Sequence, residues 1–219
     1  MSLRIVVCVK YVPDATGDRR FADDHTTDRE GVDGLLSELD EYGVEQALRI
    51  AEAHGDAEVT VLTVGPDDAK DALRKALSMG ADKAVHVNDD NIHGSDVMAT
   101  SAIVAKALER TGFDLVVGGM ASTDGTMGVL PAVVSVTDQS GEARYPSFKG
   151  IMAAKKKPVA EVTLADLGID AGDVGIDAAW TKVAGFEARP PRSAGTIVND
   201  EDGTGADQLV EFLAGQKFI

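Results

Sequence analysis

The strongest constraint on this chain is an alternation. Short apolar runs rich in β-branched residues are each followed by a segment whose apolar residues return at helical spacing. Residues 3–9 include Ile5, Val6, Val7, Cys8 and Val9, a length and composition that predict a strand buried on both faces. From Ser37 the period changes: Leu39, Tyr42, Val44, Ala47 and Ile50 fall near helical spacing, with Ser37 or Asp40 as cap and Gly55 as stop. Residues 58–64 predict a second strand, broken by Gly65 and Pro66; residues 67–78 predict a helix with Ala69, Leu73, Ala76 and Leu77 on one side, stopped by Gly80. A strand at 83–87, a helix at 95–110 and a strand at 113–117, closed by Gly118 and Gly119, continue the series. Strands alternating with helices require right-handed crossovers and a mainly parallel sheet flanked by helices, an α/β fold.

Elsewhere the pattern is weaker. Residues 11–35 are polar, contain Gly17, Gly31 and Gly34, and predict an irregular excursion. After Pro131, residues 132–136 fit one more strand, and polar turns, the basic run Lys155, Lys156, Lys157 and a strand-like 159–164 follow. Residues 189–205 carry prolines, glycines and acids and predict an extended arm, and 208–213 fit a short closing helix. A length of 219 residues accommodates one sizeable domain with an appendage, or two small domains.

Composition narrows the partners. Lysine and arginine number 21 against 37 acids, a formal net charge of -16. That excess argues against non-specific binding to nucleic acid or to anionic membranes, both polyanions. A halophilic source or a single acidic docking face would explain it; the acids are spread along the whole chain, which favours the first. With Cys8 as the sole cysteine, no intrachain disulfide can form, and its apolar setting reads as a small buried hydrophobe. No secretory leader or span-length apolar run is evident, so the expected location is cytoplasmic, without direct membrane insertion.

In an open parallel sheet, ligands bind beyond the carboxyl ends of the strands, where strand order reverses. The segment from Gly118 to Gly128 leaves one such end with Gly119, Ser122, Thr123, Asp124, Gly125 and Thr126. Glycines let backbone N–H groups approach an anion closely. An ordinary glycine-rich turn explains the same residues equally well, since neither the Walker nor the dinucleotide fingerprint is present. His25, His54, His86 and His93 lie at no metal-ligand spacing and read as surface histidines. No nucleophile–base pair stands out, which favours a binding or carrier protein over a hydrolase. Ile151 and Met152 beside the three lysines form the main local reversal of charge, either a solvated turn or a docking element for an acidic partner.

Several stretches resemble one family, the electron-transfer flavoprotein beta subunits. Residues 3–10 are similar to its first strand, 37–48 to its first helix and 72–82 to its second. Most specific is the run Glu142, Ala143, Arg144, Tyr145, Pro146, Ser147, Phe148, Lys149, Gly150, Ile151, Met152 and the lysines after it, followed by Asp166, Leu167, Gly168 and Arg192, Ser193, Ala194, Gly195. The resemblance implies Rossmann-type layers of the adenine nucleotide alpha hydrolase kind, with an extended C-terminal arm. It implies residues 1–136 as nucleotide-binding domain and 137–219 as partner-recognition loop and arm. It further implies a non-enzymatic heterodimer with an alpha subunit that carries FAD, takes electrons from flavin dehydrogenases and passes them on, in some systems to a membrane quinone reductase. AMP would sit in this subunit, or a second FAD in electron-bifurcating members. Carried over by position, the nucleotide residues are Cys8, Ser37, Leu39, Asp40, Val64, Asp124, Gly125, Thr126, Met127, Gly128 and Val129, and the partner-binding residues are Tyr145, Phe148, Ile151, Met152, Lys155 and Lys156.

One departure stands out. Family members carry several dozen further residues between the nucleotide loop and the strand ending in Leu-Pro-Ala-Val-Val; here Leu130, Pro131 and Ala132 run directly into Val133 and Val134, as after an internal deletion. A stand-alone ATP-binding regulator of the stress type shares the general layout but would not need residues 145–157.

Overall fold

The computed structural model describes residues 2–14, 16–17, 20–29, 31–125, 134–187, 190, 195, 197, 200 and 203–218. The expected alternation is present. Strand β1 (Leu3–Cys8) leads through helix α1 (Glu38–His54) to β4 (Ala57–Val64), then through α2 (Ala69–Met79) to β5 (Lys83–Val87), and through α3 (Val97–Thr111) to β6 (Leu115–Gly119). With β7 (Val134–Val136) and β8 (Val159–Val162) these strands build one six-stranded sheet in the order β7-β6-β1-β4-β5-β8, parallel at every pairing. The α/β class read from periodicity is therefore the observed one.

Two cores cover the two faces. On one, Ile5, Val7, Val59 and Val61 pack against Val44 and Ala47 of α1 and Ala72, Leu73, Ala76 and Leu77 of α2. The spacing of those four α2 residues puts a continuous apolar stripe on the sheet. Each fully buried leucine contributes about 1.5–3 kcal/mol relative to exposure. On the other face, Val6, Leu62, Val85 and Val87 meet Ile103, Val104 and Ala107 of α3. Asp96 opens α3 by accepting the Met98 and Ala99 N–H groups, and also accepts the Trp180 N–H at 2.8 Å, tying a distant segment to the helix start.

Several local expectations change. The 11–35 excursion is framed by β2 (Tyr11–Pro13) and β3 (Gly34–Leu36), an antiparallel pair whose three-residue strands are too short to show a period. Ser37 occupies the N-cap position of α1 without a side-chain cap bond, and Asp40 lies inside the helix. Gly118 and Gly119 belong to β6 instead of closing it. His86, read as a surface residue, is fully buried on β5, its Nε2 within 3.0 and 3.1 Å of the Gly65 and Pro66 carbonyl oxygens. Helix α4 (Phe148–Ala154), anticipated only as a turn or loop, starts at Ser147, whose hydroxyl accepts the Gly150 N–H at 3.0 Å. Short α5 (Gly175–Ala178) follows the sheet.

Compact packing runs through Ala184, because β8 joins the same sheet. The division at residues 136 and 137 is thus one of proposed roles. A second unit, 185–219, contains α6 (Gly205–Gly215), longer than the 208–213 expected. Arg192, Ser193 and Ala194 lie outside the described residues. Among the described residues, no helix is long and apolar enough to cross a membrane.

Candidate functional site

From β1 the chain steps to β4 and β5 on one side, then returns to place β6 on the other. Strand order therefore reverses between β1 and β6, and in open parallel sheets the ligand crevice lies beyond the carboxyl ends at such a reversal. Four chain segments converge there. Cys8 ends β1, in register with Leu62 of β4 and Gly118 of β6. Ser37 donates its N–H to the Lys10 carbonyl at 2.9 Å, which fixes the start of α1 over the crevice. Asp40 accepts the Lys10 N–H at 2.8 Å and a second bond from the Gly119 N–H. A Cβ at Gly119 would overlap the Asp40 carboxylate and press on the Leu39 carbonyl, so this close approach of strand and helix favours glycine.

Opposite Asp40 lies a cluster of opposed charges. The Asp124 side chain, 3% exposed, accepts Lys10 Nζ at 3.0 Å and Arg29 Nη2 at 2.8 Å, and Arg29 Nη1 donates to the Tyr11 carbonyl at 3.1 Å. Burial alone would raise the Asp124 carboxyl, but the charge of Lys10 and the bonds from Arg29, Lys10 and Ser122 hold it well below the usual carboxylate range. Asp40 behaves oppositely. Burial pushes it up to about 7, against the Lys10 N–H, the Lys10 charge and the Gly119 N–H, while the Asp124 charge pushes the same way as burial. The Cys8 thiol is pushed up to about 12, first by burial and then by Asp40, so it is an inert thiol at neutral pH.

Two buried hydroxyls near this edge, Ser37 Oγ and Thr63 Oγ1, have no hydrogen-bond partner among the described residues. Buried polar groups are ordinarily satisfied, and it is the Ser37 backbone N–H, not its hydroxyl, that bonds the Lys10 carbonyl. A small polar ligand with donors and acceptors fits such a setting.

The fold thus brings Cys8, Ser37, Leu39, Asp40 and Asp124 together around Lys10 and Gly119. Val64 ends the neighbouring strand β4, half-buried, without a direct bond to the others. The N–H of Gly125 donates to its neighbour Asp124 at 2.8 Å, so that loop amide already has a partner. Thr126, Met127, Gly128 and Val129 lie outside the described residues. The sequence reading did not assign Lys10 or Arg29 to the site. A lysine directly after a buried strand was a usable signal for the first; nothing in the polar excursion marked the second.

A separate region gathers the residues read as partner-binding. Tyr145 is 93% exposed and Phe148 80%, and Ile151 and Met152 are also exposed on α4. Lys155 and Lys156 are exposed. Lys157, the third of the run, turns inward instead. Its Nζ donates to the Leu77, Gly80 and Ala81 carbonyls at 3.0, 3.2 and 2.6 Å, because the end of α2 leaves carbonyl groups that a cation satisfies.

Comparison with known proteins follows this geometry. The electron transfer flavoprotein domain model matches residues 24–132. The electron transfer flavoprotein subunit beta of Mycobacterium leprae is 42% identical over 264 aligned positions, covering 98% of this chain and 99% of that protein. That of Megasphaera elsdenii is 28% identical, covering 99% and 100%, and that of Bacillus subtilis 29%, covering 85% and 88%. The 264 positions of the first alignment exceed the 219 residues of the chain by 45, so at least that many residues of the relative face internal gaps here.

Proposed function

Since this similarity places the chain in the electron transfer flavoprotein beta-subunit family, we propose that it is the small, non-enzymatic subunit of a heterodimer with an alpha subunit, holding AMP as a structural nucleotide. The observation that carries the nucleotide reading is the strand-order reversal at β1–β6, with Asp40 and the Ser37 hydroxyl, which has no hydrogen-bond partner among the described residues, at its carboxyl edge. Ser37, Leu39 and Asp40 would face the nucleoside, with Cys8 and Val64 as walls. Asp124 and Gly125 would shape the turn toward the phosphate, and Thr126 to Val129 would complete it. Lys10 and Arg29 would offset phosphate charge.

The heterodimer carries FAD, which supplies the redox chemistry and belongs mainly to the alpha subunit in this reading. Electrons would arrive from flavin dehydrogenases and leave to a further acceptor, such as a membrane quinone reductase. The exposed Tyr145, Phe148, Ile151 and Met152, with Lys155 and Lys156, support a docking role, since an apolar tip rimmed by lysines suits an acidic partner surface. A cytoplasmic location and a halophilic source accord with a net charge of -16.

Nucleotide analysis of the heterodimer tests this directly. Co-expression with the alpha subunit, denaturation and chromatography should release one AMP and one FAD. Two FAD molecules would convert the reading to an electron-bifurcating subunit, and finding neither nucleotide would overturn it. A stand-alone ATP-binding stress-type regulator draws no support from these relatives.

We infer that the residues missing relative to the family fall at Leu130, Pro131 and Ala132, a stretch that fits both the end of one family segment and the start of the next; the family match also ends at Ala132. The fourteen residues left between β6 and β7 still suffice for a parallel connection of about a dozen residues. The intact chain should weigh 22.9 kDa, and a mass well above that would contradict a genuine deletion.

A further inference from the structure

The exposed tip at 145–152 has a base, and the base is ionic. Residues 141–147 form no regular secondary structure. Arg144 is what ties this stretch to helix α1. Its Nε donates to Glu45 Oε2 at 2.6 Å and its backbone N–H to the same oxygen at 3.2 Å. Nη1 reaches Glu52 Oε1 at 2.5 Å, and Nη2 reaches Glu52 Oε2 at 3.1 Å and Glu45 Oε1 at 3.3 Å. Glu45 is itself held by Arg49 Nε at 2.7 Å and its side chain is 4% exposed. Glu45, Arg49 and Glu52 follow at i, i+4 and i+7, one stripe of α1, so a single helix face presents the whole receptor. Burial alone would raise the Glu45 carboxyl, but Arg144 and Arg49 keep it below its ordinary value, and therefore charged.

The far side of the tip is also fixed. Arg74 Nη1 donates to the Ala154 carbonyl at 3.0 Å, and Lys157 holds the end of α2. A Cβ at Gly150 would collide with the Ser78 carbonyl, so α4 lies directly against α2. Between the clamps Tyr145 and Phe148 stand almost free of the protein. The Arg144 side chain is 31% exposed and that of Glu52 60%, so the bridge runs from the buried Glu45 out to the surface. Its position, one residue before the most exposed aromatic side chain, suits presentation.

We propose that Arg144 is a positioning residue for partner docking: its clamp to Glu45 and Glu52 holds the Tyr145–Phe148 tip in binding geometry before the partner arrives. This rests on the docking role given to the tip above. A tip already ordered loses less conformational freedom on association, so loosening the clamp weakens binding while leaving the subsequent transfer step untouched.

The test uses the full heterodimer with its alpha subunit and a flavin dehydrogenase of the same organism reduced by its own substrate. Reduction of the heterodimer's FAD is followed for wild type, Phe148→Ala, Arg144→Met, Arg144→Lys and Glu52→Gln. Arg144→Met should raise KM for the heterodimer roughly tenfold and Glu52→Gln about threefold, with kcat within about twofold, the pattern expected when ground-state and transition-state binding are lost equally. Arg144→Lys, which keeps the charge but not the fork, should fall between wild type and Arg144→Met. Amide exchange at 145–153 should quicken in parallel. Glu52 is mostly exposed, so Glu52→Gln decides the matter even if Arg144→Met does not fold. Unchanged KM in Phe148→Ala would remove the docking role itself. A raised KM there, with KM and exchange unchanged in Arg144→Met and Glu52→Gln, would leave docking intact and overturn the clamp. A fall in kcat at constant KM would overturn it as well.

Discussion

Asp40 is the residue whose environment most clearly opposes its charge. Its carboxyl is buried and raised from the ordinary 3.8 to about 7, so the folded state binds more protons than the unfolded chain between those values. Stability then falls as pH rises through that window, because the proton uptake favouring the folded form is lost. An Asp40→Asn variant removes this titration but also one of two acceptors, for Lys10 and Gly119. The wild type should therefore be the more stable near pH 5, and its advantage should shrink or reverse by pH 8. Thermal melts of both proteins at a series of pH values check this; a difference independent of pH would show that Asp40 is neutral or charged throughout. Asp124 is the contrasting case. Its carboxylate orients Lys10, Arg29 and the Gly125 amide at once. Asp124→Ala should lower AMP retained by the purified heterodimer several-fold, with less effect on stability, since Lys10 and Arg29 are partly exposed and can be rehydrated. Unchanged retention, measured by chromatography after denaturation, would remove the turn from the site.

At the scale of elements, helix α2 ties several parts of the first unit together. It packs Leu73 and Leu77 on the sheet, and its far end receives Lys157 and the close approach of Gly150. Leu73→Ala should cost about 2–5 kcal/mol, and denaturant unfolding measures it. A loss below about 1 kcal/mol would mean that the stripe collapses to fill the cavity. Elements of this kind were legible in sequence because buried strands and amphipathic helices of eight or more residues write their period into the chain. The arms Tyr11–Pro13 and Gly34–Leu36 are too short for any period. Helix α4 was hidden by Pro146 and Gly150, and it is stabilised by the Ser147 cap and by contact with α2. The crevice was legible only in outline. Strand order places Cys8 and the Gly118 segment together, but the pairing of Arg29 with Asp124 spans 95 residues and leaves no local trace. The inward turn of Lys157 was likewise unreadable, because three consecutive lysines look alike until the end of α2 singles one out.

At the scale of the whole molecule, charge is the dominant unbalanced quantity. With 21 basic and 37 acidic residues, the acids outnumber the cations by 16 and cannot all be paired. The ion pairs that form are mainly local or at the surface, such as Lys106 with Glu109 and Lys70 with Asp67, where each contributes at most about 1 kcal/mol. The remaining like charges repel one another across the compact state more than across the expanded chain. Salt screens that repulsion over a Debye length that falls from about 10 Å at 0.1 M to about 3 Å at 1 M. The melting temperature should therefore rise as sodium chloride increases from 0.1 to 1 M, about the range of that screening. The buried Asp124 and Glu45 clusters should respond less than the surface, so exchange protection of α1 should change less with salt than that of the acid-rich segment 20–28. A melting temperature that stays flat or falls over the same salt range would show that the acids are individually solvated and carry no net repulsion, and the halophilic reading would lose its physical basis.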